Sequence, residues 1–150
     1  QDNETSWLDW ERLVKHQDMY AFFKGMIAFR KAHPSICRGR FWRGDVKWFG
    51  PYGPVDFGPD SETFGFLLDG RSSSDDDLMV VVNCSRNPAP FRWPAAAQGS
   101  WTMAVDTSVE GPAAFRTSRR VLSQADGDVI VPPRTVVVLA TVDCHTPVSQ

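Results

Sequence analysis

No stretch of this chain approaches the roughly 18 consecutive apolar residues of a membrane-spanning helix, so no transmembrane helix is expected. Cysteine is scarce. Cys37, Cys84 and Cys144 are odd in number, far apart and without CxxC spacing, which argues against a disulfide framework and a zinc site. Free thiols in a reducing, cytoplasmic compartment are the expectation. Charge of one sign is lacking too: a formal net charge of −2 gives no electrostatic reason to expect nucleic acid or an anionic membrane as partner. Phosphate loops of the G-x-G-x-x-G and G-x-x-x-x-G-K-[ST] types are absent, and Ser72 to Ser74, Ser85 and Ser123 lie in no G-x-S-x-G elbow. His16, His33 and His145 have no metal-ligand spacing and read as helix-surface, helix-end and tail residues. No metal and no cofactor is therefore expected.

What is present is apolar and aromatic. With 42% hydrophobic and 12% aromatic residues, 150 residues can bury a core as one compact domain, or as a small domain with a piece of another attached. The 11 prolines and 11 glycines fall almost entirely beyond Pro34 and favour many short elements joined by turns there. The first residues, Gln1 to Trp10, set two tryptophans among carboxylates without a start methionine or leader, and they read as the interior of a larger protein.

Met19, Tyr20, Phe22, Phe23, Met26, Ile27 and Phe29 recur at helical spacing and predict one helix over 17–33, with a helical turn before it around Asp9 to Val14. Its apolar arc is wide, so more than one neighbour should cover it. Pro34 disfavours helical geometry at His33 and stops it. Beyond Pro34, β-type runs at Val46 to Phe49, Thr63 to Leu68, Leu78 to Asn83, Trp101 to Val105, Asp128 to Val131 and Val136 to Val142 alternate with turn signals such as Gly50-Pro51, Asp69-Gly70 and Asp126-Gly127. Such strands without intervening helices predict a mainly β chain, an antiparallel β-sandwich preceded by one long helix. The unbroken apolar run Val136 to Ala140 fits a strand covered on both faces, the closing strand of that sandwich. Arg71 to Asp77 reads as a solvated hairpin loop. Its three aspartates do not make a calcium loop, because the glycine and distal glutamate of an EF-hand are missing.

Gln1 to Glu4, Ser6, Trp7, Asp9 and Trp10 match the Cys-Gln-Asp-Asn-Glu-x-Ser-Trp-x-Asp-Trp segment of bacterial isoamylase-type and glycogen-operon debranching enzymes, of the α-amylase superfamily (glycoside hydrolase family 13), which the chain resembles. Phe29 to Pro34, Asp45 to Gly53, Val80 to Asn83 with Phe91, Trp101 with Asp106-Thr107, and Val136 to Leu139 continue the resemblance in the same order. It implies that 1–36 are the last loop and final helix of a (β/α)8 catalytic barrel and that 37–150 are the C-terminal β-sandwich that follows. The implied whole protein hydrolyses α-1,6 branch linkages of glycogen or a related α-glucan, and trehalose-pathway glycosidases are close to it. The family's catalytic carboxylates lie on earlier barrel loops, so none is carried onto Asp2, Glu4, Asp9 or Glu11, and the chain alone is expected not to catalyse.

Loops at the C-terminal ends of barrel strands build the substrate cleft, so the resemblance makes Asp2 and Asn3 candidate hydrogen-bonding partners of glucose hydroxyls, with Trp7 and Trp10 as candidate ring platforms. The other reading of the two indoles is packing of the loop on the helix. Trp42, Trp48 and Trp101 are candidate stacking residues of a glucan-binding module, against the alternative that they fill core or interdomain contacts. A third possibility is a protein-interaction sandwich. The partner implied by the resemblance is the upstream barrel; without it, the arc of Tyr20, Phe23 and Ile27 would be left exposed and prone to self-association.

Overall fold

A residue ahead of proline is crowded out of helical geometry, and His33, at φ −110° and ψ 93°, ends the long helix one position before Pro34. The computed structural model describes residues 2–39, 41, 44–97, 99–115 and 121–142. Three helices come first: α1 (Glu11–Lys15), α2 (Gln17–Ala32) and α3 (Pro34–Cys37). The helix expected over 17–33 is α2, one residue shorter, and the expected turn before it is α1.

Strands β1 (Val46–Phe49), β2 (Thr63–Leu68), β3 (Leu78–Asn83), β4 (Ala89–Phe91), β5 (Trp101–Asp106), β6 (Val121–Leu122), β7 (Val129–Val131) and β8 (Thr135–Thr141) follow. They form a six-stranded sheet in the order β1-β2-β3-β8-β5-β6 and a two-stranded ribbon of β4 and β7. Every pairing is antiparallel, so the chain is a mainly β sandwich preceded by one long helix. The hairpin of β2 and β3 keeps full register from Thr63↔Asn83 to Leu68↔Leu78. β8 sits in the middle of the large sheet rather than closing it, between β3 and β5. Its continuous apolar run thus reflects cover on both faces.

One face of the large sheet packs Phe49, Met79, Val81 and Leu139 against Phe91 and Val131 of the ribbon, with Trp101 buried among them. At one end of the opposite face, Leu68, Leu78 and Ala140 meet Phe29 of α2 and Ile36 of α3. Leu68 and Leu78, fully buried there, each contribute on the order of 2 kcal/mol. Helix and sandwich therefore share a core. Asn83, buried at the end of β3, carries its own polar satisfaction: its amide nitrogen donates toward Asn87 O, Val131 O and Pro132 O, and its Oδ1 accepts from Ser85 N and Oγ. That cluster ties the β3 exit to the end of β7.

Three expectations change. Trp101 is 1% exposed and lies in the core, so it has no ring face to offer a sugar. The 71–77 segment is not simply a solvated loop: Arg71–Ser73 form a 3-10 turn, and the Asp75 side chain is only 4% exposed. β4 and β6 escaped the sequence reading because three and two residues carry no periodicity, and Pro90 in β4 reads as a loop signal.

Candidate functional site

The amino-terminal loop is held by local hydrogen bonds. Trp7 Nε1 donates to Asp2 Oδ1 at 2.5 Å, Thr5 N donates to Asn3 Oδ1 at 3.0 Å, and Arg12 Nε pairs with Asp9 Oδ2 at 3.1 Å. Asp2 and Trp7 are thus brought together, while Trp7 and Trp10 both stay largely exposed. Trp42 falls outside the described residues, as do Cys144 and His145.

Helix α2 buries no residue completely. Its inner side turns Phe22 and Gly25 toward Phe115, whose ring lies 5.5 Å from that of Phe22. A Cβ at Gly25 would lie 2.5 Å from that ring, so only glycine allows the approach. Its outer side leaves Met19, Tyr20, Phe23 and Ile27 each more than half exposed. Between α2 and strands β5 and β8 runs a groove of 550 Å³, walled by Ala21, Gly25, Ala28 and Ala104, with His33 and Asp76 also lining it.

The joint of α2 and α3 is pinned by Asp75. Its Oδ2 accepts from Ser35 N at 3.0 Å and Ser35 Oγ at 2.5 Å, and its Oδ1 lies 2.8 Å from His33 Nδ1. Burial by itself pushes the Asp75 pKa upward, but the Ser35 hydroxyl, the Ser35 amide and His33 outweigh it and hold the carboxyl below its ordinary range. His33, Asp75 and Asp76 offer possible metal-ligand atoms within 4.8 Å of one another. The Asp75 oxygens are already engaged by Ser35 and His33, which accounts for the grouping without an ion.

Trp48, on edge strand β1, is 43% exposed and touches Phe57, Phe64 and Phe66 at ring separations of 6.0, 6.1 and 5.2 Å. Two clefts share it. One, of 360 Å³, is bounded by Asp56, Phe57, Ser61 and Phe64; the other, of 340 Å³, by Tyr52, Pro54, Arg92 and Pro94. The Arg92 guanidinium stands 5.6 Å from the Tyr52 ring centroid. Tyr52, Phe57 and Arg92 were not singled out by sequence reasoning; the signal available was the run Gly50-Pro51-Tyr52-Gly53-Pro54, a turn that strands an aromatic in water.

No family model matches the chain. It is 30% identical over 130 residues, 74% of its length, to an isoamylase of Flavobacterium sp., and 28% identical over 112 residues, 69% of its length, to a glycogen debranching enzyme of Dickeya chrysanthemi. A glycogen operon protein GlgX homolog of Mycobacterium tuberculosis is 35% identical over 63 residues, 35% of this chain and 9% of that protein. The chain spans only 17% and 15% of the length of the first two. Among solved structures, type I pullulanase of Bacillus subtilis, complexed with maltose, superposes on 91% of this chain with a TM-score of 0.65 at 17% identity, using 17% of its own length. At that identity the likeness concerns the fold.

Proposed function

We propose, from the premise that the chain belongs to the isoamylase-type debranching family of glycoside hydrolases, that it is the C-terminal structural part of an enzyme hydrolysing α-1,6 branch linkages in glycogen or a related α-glucan. In this reading, 1–36 are the last loop and helix of the catalytic barrel and 37–150 are the sandwich capping it. The observation that carries it is the two-sided character of α2, which shares a core with the sandwich on one side and leaves Tyr20, Phe23 and Ile27 bare on the other. A row of large apolar side chains on one helix face is stable in water only when something covers it. The upstream barrel is the proposed cover.

The chain itself is proposed to be non-catalytic. Retaining glycosidases set two carboxyls about 5–5.5 Å apart across the scissile bond. The three clefts described above have one aspartate, one aspartate and none along their walls. In the whole enzyme, Asp2, Asn3, Trp7 and Trp10 would border the substrate cleft, with the Trp7–Asp2 hydrogen bond fixing the indole's tilt. Glycogen storage would put that enzyme in the cytoplasm.

The test is a chimera in which this chain replaces the homologous stretch of the Flavobacterium isoamylase. The chimera is expected to release reducing ends from glycogen, while the isoamylase truncated before that stretch and the chain alone do not. Phe23→Glu, a charge set into the proposed interface, should cut chimera activity about tenfold or more, since burying an unpaired charge costs several kcal/mol. Release of reducing ends by the chain alone, or a chimera indifferent to Phe23→Glu, would sink this reading. A second expectation follows for the isolated chain: the bare α2 face self-associates. Light scattering should give a mass rising with concentration for wild type and a constant monomer mass for Phe23→Glu; a monomer throughout excludes it.

A further inference from the structure

The geometry points to a second site, distant in chemistry from any barrel cleft: a binding track for an α-glucan chain along the free edge of the large sheet, with Tyr52, Trp48 and Phe57 as ring platforms. The choice of a glucan rests on the debranching reading above. Among the described residues β1 pairs with β2 alone, so its outer side is an edge of the described sheet. Trp48 on that strand, and Tyr52 and Phe57 on the segment after it, are 43%, 61% and 76% exposed. Exposed aromatic clusters mark interaction surfaces. The track uses no residue of α1, α2 or α3, although Trp48 stands on the same face of the sheet as those helices.

Its chemistry favours a sugar polymer over a protein or a polyanion. A pyranose ring presents a face of C–H groups that stacks on an aromatic ring and a rim of hydroxyls that needs directional donors and acceptors. Both clefts combine these elements. The Tyr52 ring is paired with the Arg92 guanidinium as donor, and Phe57 is paired with the Asp56 carboxylate and the Ser61 hydroxyl. One cation and one anion leave no net charge along the track, which disfavours nucleic acid and other polyanions. The clefts, 340 and 360 Å³, each fall in the range of small-ligand pockets, and they flank the same indole, which suits a repeating ligand with one sugar segment on each side.

The turns that carry Tyr52 and Phe57 are held by hydrogen bonds of their own. Gly50 N donates to Gly53 O at 2.7 Å, and Arg92 N donates to Pro51 O at 2.8 Å, so the turn under Tyr52 is anchored to its partner Arg92, the residue after β4. A Cβ at Gly50 would lie 2.7 Å from Pro54 O, which leaves the turn no room for another residue. Gly58 N donates to Asp56 Oδ1 at 2.8 Å, holding the Phe57 corner and leaving Asp56 Oδ2 to accept from a hydroxyl. A preorganised backbone loses little freedom on binding.

Affinity electrophoresis of the 150-residue chain in native gels containing glycogen, amylose or heparin tests this. Glycogen and amylose should retard it, and Tyr52→Ala and Phe57→Ala should each weaken retardation about tenfold, as loss of an anchoring ring does. Trp48 is left intact because it also packs on Phe66. Far-ultraviolet circular dichroism checks that both variants stay folded, and Phe23→Glu should be retarded like wild type. Absence of retardation, retardation unchanged in both ring variants, or stronger retardation by heparin than by glycogen overturns the track. The two proposals fail separately: an active chimera with an unretarded chain removes only the track, and a retarded chain with an inactive chimera removes only the barrel-capping role.

Discussion

Trp101→Ala is expected to cost about 3–5 kcal/mol, the usual loss when a large aromatic is deleted from a packed core. Trp101 is 1% exposed, starts β5 opposite Leu122 on one side and Thr141 on the other, and holds its ring 6.3 Å from that of Trp93. Three strands and the inner face of the ribbon would collapse toward the hole. In a chain of this size such a loss lowers the melting temperature by roughly 6–20 °C, and it consumes a large part of a stability that is about 5–15 kcal/mol in domains generally. Trp101→Phe should be much milder, about 1–2 kcal/mol. The indole Nε1 is buried without a hydrogen-bond partner, so phenylalanine gives up ring area but also removes an unsatisfied donor, whose burial itself costs about 1–3 kcal/mol. Urea unfolding of the three proteins measures the order. A Trp101→Ala chain as stable as wild type would mean that the ring is not in the core, and the stacking role weighed for it in the sequence would return.

The contrast between Trp101 and Trp48 marks where sequence reasoning stopped. Both begin or sit within β-type runs next to turn signals, and nothing local says which face of the strand meets the ribbon. Register decides it: Trp48 stands opposite Phe66 on the face away from the ribbon, whereas Trp101 stands on the ribbon's side with Met79 and Leu139. Strand existence was legible because alternation and Gly-Pro punctuation are local, and β1, β2 and β3 fall where those signals put them. The place of β8 in the middle of its sheet was not, since two other strands must be located before an apolar run can be seen to be flanked by both. The same limit hid Tyr52 and Arg92, 40 residues apart in sequence and joined only by the fold. It hid Asp75 most completely, because its side-chain partners beyond the adjacent Asp76 amide come from His33 and Ser35, on the far side of β1 and β2.

Asp75→Ala should therefore be the second severe change, about 2–5 kcal/mol, because it removes an acceptor shared by the Ser35 amide and hydroxyl, His33 and the Asp76 amide. Ser35 is 0% exposed, and its N–H and hydroxyl would both lose the carboxylate as an acceptor, at about 1–3 kcal/mol each. The damage should start locally. Ile36 and Phe29 reach the sheet only while the α2–α3 joint holds its angle, so the helices should come away before the sandwich opens, giving two unfolding transitions in place of one. The carboxylate also sets a pH dependence whose sign follows from its lowered folded-state pKa. The ionised form is favoured by folding, so the stabilisation is complete above the unfolded value near 3.8 and is lost as pH falls through the lower folded value. Asp75→Asn keeps the shape but cannot titrate, so the gap in stability between wild type and Asp75→Asn should shrink as pH falls below about 4. A gap unchanged down to about pH 3 would show that the charge on Asp75 contributes nothing to the joint. Because the joint sets how the bare face of α2 stands relative to the sandwich, Asp75→Ala should also cost the chimera its activity. Tyr52 and Phe57, which share no contact with the joint, should keep their grip on glycogen while the sandwich remains folded.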